Sequence, residues 1–253
     1  MCRAVHIYNL HEEYVAATTF VLHNLKRSPL VVGSMAWGSE STADHLFVSS
    51  EPRERTFTGV HKVFDLNTKK EAYQLDAQEA GDVLAVDSEG RLLDMVAVCS
   101  QRIFFSGSKL ALCTQAESNK HILRLYDIRR REPTAHVSLV LAPFTRGGDG
   151  GDKGFEGEMN VVTFSPEGLY LAIARNDNHT HLYDRRMIRS RGDDEPSEPL
   201  FDYEHRGESK AASEHELYGI VNAQWIQSSL TRRTCLVTGG EDGECRVSFL
   251  IPS

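Results

Sequence analysis

Apolar and polar positions alternate with a period of two along most of the chain, and the alternation stops at clusters of Pro, Gly, Asn and Asp. Residues 160–184 (NVVTFSPEGLYLAIARNDNHTHLYD) carry the pattern most fully. Val161, Thr163 and Phe164 open a strand, and Ser165-Pro166-Glu167-Gly168 turns it. Pro in the second place and Gly in the last favour a type I turn. Leu169, Leu171 and Ile173 alternate as a second strand, Asn176-Asp177-Asn178 make another turn, and His179 to Tyr183 alternates again before stopping at Asp184. The pattern predicts a module of antiparallel sheet and an all-β chain.

The module recurs. Aligned without gaps, residues 236–249 fall on 171–184, with Leu236 on Leu171, Asp242 on Asp177 and Val247 on Leu182. Its first strand is 219–225, its turn is 239–243, and its closing dipeptide is Ser248-Phe249. Asp242-Gly243 between alternating runs is a strong hairpin signal. An earlier copy closes with 121–127 (HILRLYD) and begins at 82–86; two apolar stretches, 92–98 and 103–113, compete for its second strand. Another copy comprises 31–37, 45–49 and 60–65, ending in Phe64-Asp65, with a long turn at 51–59. Residues 2–9 match the third strand of such a unit and 14–22 its outer fourth, while the last copy stops after its third strand. The predicted strand count is two, four, four, four, three, in a repeat of roughly 40–50 residues. Two insertions, 146–158 (glycine-rich and acidic) and 189–216 (charged, with Ser and Pro), are predicted to be flexible. An apolar island at 199–203 suits an outer strand. Helical periodicity is essentially absent, apart from a short turn at 209–217.

The module 160–184 resembles a WD-repeat unit, with Tyr183-Asp184 standing where that family has Trp-Asp. The resemblance implies a WD40-type β-propeller over residues 1–253, with about four to five blades present. WD-repeat rings most often have seven blades, so it also implies an incomplete ring; the alternative is a divergent ring of four or five blades, closed by pairing the first strands with the last sheet. It makes Tyr126 and Tyr183 repeat residues, and makes Asp177 and Asp242 turn residues that fix their hairpins, a role that Asp turn chemistry supports independently. Tyr126-Asp127-Ile128-Arg129 and Tyr183-Asp184-Arg185-Arg186 both place Arg two residues beyond the Asp. They resemble the W-D-x-R box of substrate receptors for cullin-4 ubiquitin ligases, where paired arginines engage the ligase's propeller adaptor. That resemblance implies an adaptor contact through Arg129 and Arg186, with Asp127 and Asp184 beside them. Arg suits such a contact because its planar fork bonds carboxylates or carbonyls and is cheaper to desolvate than Lys. The same position is also a solvated turn, where Arg is ordinary. A chromatin- or peptide-recognition propeller is the alternative, with partners meeting turns such as 87–91 and 165–169.

Composition narrows the choice. A net charge of −8 argues against a surface for nucleic-acid phosphates. Five cysteines without a C-x-x-C pair point to a reducing compartment, nucleus or cytoplasm. There is no apolar run of about 18 residues to span a membrane, and residues 1–9 lack a signal-peptide core. Asn178-His179-Thr180 matches a glycosylation acceptor by chance in that setting. Enzyme motifs fail: Val15 and Gly219 stand where the zinc-protease pattern needs its second His after His11-Glu12 and His215-Glu216. The glycine cluster 147–157 contains Lys153 but no following Ser or Thr, and there is no nucleophile elbow. His179 and His181 share one strand face, but two imidazoles need further metal ligands and none is signalled nearby. The predicted inner strands carry Ser34, Met35, Ala36, Thr163 and Ala223, which suit packing better than acid–base work. The sequence therefore predicts a noncatalytic protein-interaction scaffold with no cofactor and no metal; a propeller enzyme is the lesser alternative.

Overall fold

The second strand of each repeat is apolar on both faces, and the architecture follows from burying both. The computed structural model describes residues 4–8, 16–21, 30–38, 42–52, 58–86, 109–116, 120–144, 157–188, 196–205, 219–227 and 233–249. These form five antiparallel sheets. The first pairs β1 (Ala4–Tyr8) with β2 (Ala16–Val21). The second runs β3 (Leu30–Trp37), β4 (His45–Pro52), β5 (His61–Asp65), β6 (Lys70–Gln74). The third runs β7 (Ala80–Val86), β8 (Lys109–Ala116), β9 (Lys120–Asp127), β10 (Val137–Val140). The fourth runs β11 (Met159–Phe164), β12 (Tyr170–Arg175), β13 (His179–Asp184), β14 (Phe201–Glu204). The last holds β15 (Ile220–Gln227), β16 (Thr234–Gly240) and β17 (Cys245–Phe249).

Strands pair in chain order within every sheet, and the count is the predicted two, four, four, four, three. The described residues include no α-helix, and Ile128–Arg130 forms a 3-10 turn. The later of the two competing stretches supplies β8, which spans Lys109–Ala116; residues 92–98 lie outside the described residues, as do 87–91, 146–156, 189–195 and 206–218. Within the second predicted insertion, residues 196–205 are described, and the apolar island at 199–203 supplies the outer strand expected of it. Phe201–Glu204 pairs with β13, and the Ser197 amide donates to the Val140 carbonyl at 2.9 Å.

Consecutive sheets stack face to face. Leu110 and Leu112 of β8 point towards Phe47, Val63 and Tyr73 of the second sheet, whereas Ala111 and Cys113 point towards Val162, Phe164, Leu171 and Ile173 of the fourth. On β12, Leu171 and Ile173 face the third sheet while Ala172 and Ala174 face Ala223, Trp225 and Leu236 of the last. Phe20 of β2, with Val5 and Ile7 of β1, covers Leu46, Val48 and Phe64. The leading strands β3, β7, β11 and β15 pack against one another in that order, and no comparably extended contact joins β1–β2 to β15–β17 among the described residues. The sheets thus form the blades of an open arc.

A register irregularity recurs where each leading strand meets the second strand: at Val32/Met35, Gly81/Val83, Met159/Val161 and Ile220/Asn222. Bulges bend a strand and increase its twist, so they set the shared shape of the inner edge. Two glycines let the next blade close up beside them. A Cβ on Gly81 would lie 1.7 Å from Ser49 Oγ, and one on Gly219, whose φ is +58°, would lie 2.4 Å from the Asn176 carbonyl. Behind Gly81, Ser49 Oγ lies 3.0 Å from His61 Nδ1, and His61 Nε2 donates to the Glu79 carbonyl at 3.0 Å. This bond ties the second blade to the start of the third.

Two predictions follow from this packing. Gly219→Ala should lower stability by about 1–3 kcal/mol, because it adds backbone strain and a clash with Asn176; urea unfolding measures it. Burial, offset only in part by the Glu79 carbonyl, pushes His61 down from 6.5 to about 4. The unfolded chain takes up a proton near 6.5 and the folded chain does not, so this contribution is complete above that value and is lost as pH falls towards 4. The loss amounts to roughly 3 kcal/mol. Urea midpoints measured down the pH range should fall less steeply for His61→Gln than for the parent.

Candidate partner-binding surface

The Asp that ends the third strand of a blade caps the turn that follows. Asp65 Oδ1 accepts from the Asn67 and Thr68 amides at 2.8 and 3.0 Å. Asp127 caps the 3-10 turn at Ile128–Arg130, and Asp184 Oδ1 accepts from the Arg186 amide at 2.9 Å. Capping is therefore the common duty of these aspartates. Arg two residues on is the addition in the third and fourth sheets, since Asn67 holds that place in the second.

Both arginines fold back onto their own caps. Arg129 Nε and Nη2 donate to Asp127 Oδ1 and Oδ2 at 3.3 and 3.2 Å. Arg186 Nε and Nη2 donate to Asp184 Oδ1 and Oδ2 at 3.0 and 2.6 Å. The carboxylates are largely covered, at 12% and 11% side-chain exposure, while the arginines stand out at 48% and 61%. Burial alone would raise the Asp127 carboxyl, but hydrogen bonds from Arg129 and Lys109, together with their charges, hold it at about 2. Lys109 Nζ lies 3.0 Å from Asp127 Oδ2 and Arg130 Nε 4.0 Å, so this box carries more positive than negative charge.

The turn at 165–169 and the Arg186 box, predicted separately, meet in space. The Arg185 amide donates to the Leu169 carbonyl at 2.8 Å, and the Arg185 guanidinium lies 5.9 Å above the Phe164 ring. Met187, 75% exposed, follows directly. Because each blade's strands alternate in direction, Arg129, Arg186 and 165–169 share one rim of the arc. The turns bearing Asp177 and Asp242 occupy the other.

The two tyrosines are core residues. Tyr126 is fully buried and its hydroxyl donates to Asp76 Oδ1 at 2.9 Å; Asp76 Oδ2 in turn accepts from the Ala135 amide at 3.1 Å. Tyr183 is buried with its hydroxyl 3.4 Å from His181 Nδ1. Burial raises both phenols above their usual value, so both stay neutral.

Asp177 ties two blades together through a partner that sequence reasoning missed, while Asp242 Oδ1 caps its own hairpin by accepting from the Glu244 amide at 2.9 Å. Arg175 Nε and Nη2 donate to Asp177 Oδ1 and Oδ2 at 3.0 and 2.6 Å, and its Nη1 and Nη2 donate to the Ala142 and Pro143 carbonyls of the preceding blade's exit loop at 3.2 and 2.9 Å. Its guanidinium stacks on Phe144, 3.9 Å from the ring centroid. In the last sheet the place of Arg175 is taken by Gly240. Here His205, from the exit loop, fills the space: its Nε2 lies 2.8 Å from Thr238 Oγ1 and its Nδ1 3.5 Å from Asp242 Oδ2. A Cβ on Gly240 would stand 3.0 Å from His205 Nδ1. In one blade the strand reaches into the loop; in the next the loop reaches into the strand. The pairing of Arg175 against Gly240 in the ungapped alignment was the available signal.

Arg175→Ala would strand Asp177, whose side chain is fully buried, without its counter-charge. The expected loss is about 3–5 kcal/mol, read from urea unfolding, whereas Arg129→Ala and Arg186→Ala at exposed sites should each cost under about 1 kcal/mol.

No family model and no curated protein matches the chain. Among solved structures it is similar to the Dos1 propeller, with 18% identity and a TM-score of 0.58 over 88% of this chain and 46% of that one. It is also similar to a chain in the crystal structure of the mitotic checkpoint complex, with 14% identity and a TM-score of 0.54 over 94% of this chain and 51% of that one. The chain spans about half the length of these solved chains. Stacked meander sheets, leading strands packed side by side and these likenesses together establish the fold, a WD40-type β-propeller arc.

Proposed function

We propose that this propeller is a noncatalytic protein-interaction scaffold whose Asp-x-Arg rim docks the propeller adaptor of a cullin-4 ubiquitin ligase. The observation that carries the proposal is the matched geometry of the two boxes. In adjacent blades, a covered carboxylate grips an exposed guanidinium through Nε and Nη2, and the same Asp caps the turn beneath. A side chain already held in one rotamer loses less entropy on binding, so the contact gains affinity from preorganisation. Because each Arg is already paired, its use to a partner lies in directed hydrogen bonds and its planar face more than in net charge. Met187 beside Arg186 adds an apolar anchor, suited to a protein partner.

The leading strands lend no support to catalysis. Ser34 Oγ accepts from the Leu84 amide and Asn160 Nδ2 donates to the Ile220 carbonyl, so both polar groups serve blade-to-blade packing. No helix among the described residues is long and apolar enough to cross a membrane, and no disulfide links Cys113, Cys235 or Cys245. A nuclear or cytoplasmic protein without direct nucleic-acid contact fits the composition. A chromatin- or peptide-recognition role is the second possibility, favoured by the joining of turn 165–169 to the Arg186 box on one rim.

The test is affinity capture of the purified adaptor by the parent chain and by the double variant Arg129→Ala/Arg186→Ala. Loss of at least tenfold in affinity is expected if both are contact hot spots, with about 1.4 kcal/mol per factor of ten. Undiminished binding by a folded double variant would end the proposal.

A further inference from the structure

On the rim opposite the arginine boxes, the pairing of β13 with β14 sets two His–carboxylate rungs side by side: His181 faces Asp202 and His179 faces Glu204 in the register. Directly opposed residues of an antiparallel pair share a face, as do residues two apart on one strand. All four side chains therefore emerge from one side of the sheet. His179 Nδ1 lies 2.8 Å and His181 Nε2 3.7 Å from the same oxygen, Asp202 Oδ1. The donor atoms of His179, His181 and Asp202 all fall within 4.8 Å of one another. We propose that His179, His181 and Asp202 bind a divalent transition-metal ion, Zn2+ by preference, that clamps the outer strand β14 to β13.

No third ligand stands near the two histidines along the chain; Asp202, some twenty residues away, is that ligand. Tetrahedral zinc with bonds of about 2.0–2.1 Å keeps its donors roughly 3.3 Å apart, so small side-chain adjustments close the set around an ion. Two imidazoles and a carboxylate are the donor types that suit zinc. A cation bound here would replace the proton shared by His179 Nδ1 and Asp202 Oδ1.

His181 is oriented for the task from behind. Its Nδ1 faces Tyr183 Oη at 3.4 Å, and donation of the Nδ1 proton there leaves the Nε2 lone pair towards Asp202. Arg175 Nη1 lies 3.1 Å from both ring nitrogens. A donor in line with one lone pair would be much farther from the other nitrogen, so Arg175 sits over the ring and leaves both in-plane directions open. Its charge is met by Asp177 at 2.6 Å, which keeps the surroundings tolerable for a cation. His181 is 5% exposed, His179 14% and Asp202 44%, a gradient from buried to open. His179, Asp202 and Glu204 also line a cleft of about 660 Å3 through which an ion and water can enter. Water completes the coordination.

Such an ion has a mechanical use. β14 pairs with β13 over four residues, and three of those, Phe201, Asp202 and Glu204, are exposed. A metal bridging the two strands anchors a strand that little apolar burial holds.

Titration calorimetry with zinc chloride, on protein first stripped with chelator, tests this with the parent, His179→Ala, Asp202→Asn, Tyr183→Phe and the control His136→Ala, which removes an exposed histidine elsewhere. The expected result is one zinc per chain for the parent and His136→Ala. Affinity should fall at least about tenfold for the two ligand variants and about tenfold for Tyr183→Phe, the size typical of losing an outer-sphere partner. Cobalt(II) should give the intense visible bands of a tetrahedral site in the parent and in His136→Ala, and not in His179→Ala or Asp202→Asn. Thermal unfolding without metal shows that each variant is folded, and added zinc should raise the midpoint of the parent and of His136→Ala fully, and of Tyr183→Phe less. Equal zinc uptake by folded His179→Ala and Asp202→Asn, or no zinc binding by the parent, would overturn the proposal.

Discussion

A four-stranded sheet whose second strand is apolar on both faces cannot stand alone in water. Leu110 and Leu112 on one face of β8, and Ala111 and Cys113 on the other, are all fully buried, which requires a sheet on each side. Burying a side chain of Leu size contributes about 1.5–3 kcal/mol, so stacking of blade on blade is the constraint from which the arc follows. Large residues fill one interface and small ones the other. Leu171 and Ile173 meet the third sheet, while Ala172 and Ala174 let Trp225 of the last sheet come close enough for its Nε1 to donate to the Thr163 carbonyl at 3.3 Å.

Burial brings the blades together but does not by itself fix their order or spacing. Buried polar pins do that. His61 reaches from the second blade to the Glu79 carbonyl, Tyr126 to Asp76, Arg175 to the Ala142 and Pro143 carbonyls, and His205 to Thr238 and Asp242. The first three satisfy groups in the loop that leads from one blade to the next, and His205 reaches from such a loop to Thr238 of the next blade, places where an unpaired polar group would be costly. The pins also leave one rim committed to structure around Asp177 and Asp242. The other rim, with the turns capped by Asp127 and Asp184, carries the exposed arginines.

Much of this was legible in the chain itself. The ungapped match of 236–249 to 171–184 put Asp242 on Asp177 and gave both hairpins, and the count of strands per sheet followed from alternation and turn residues. Other features were not legible, because they depend on residues far apart in sequence. The bulge in every leading strand leaves no mark in the alternation. The exchange of Arg175 for His205 needs two different blades to be superposed. Asp202 stands in the island at 199–203 that suited an outer strand, but which residues it would face depends on the register of β14 on β13, which brings it to His179 and His181. The Asp-x-Arg boxes were visible as tetrapeptides, but the grip of each Asp on its own Arg was not.

The proposed docking surface is one rim of this propeller arc, the one bearing Arg129 and Arg186. Hydrogen–deuterium exchange of the chain alone and with the ligase adaptor measures this most directly. The account predicts slowed exchange at 127–130, 165–169 and 184–187 on complex formation, with the turns at 176–178 and 241–244 unchanged. Protection confined to those latter turns, with the arginine rim unaffected, would contradict it.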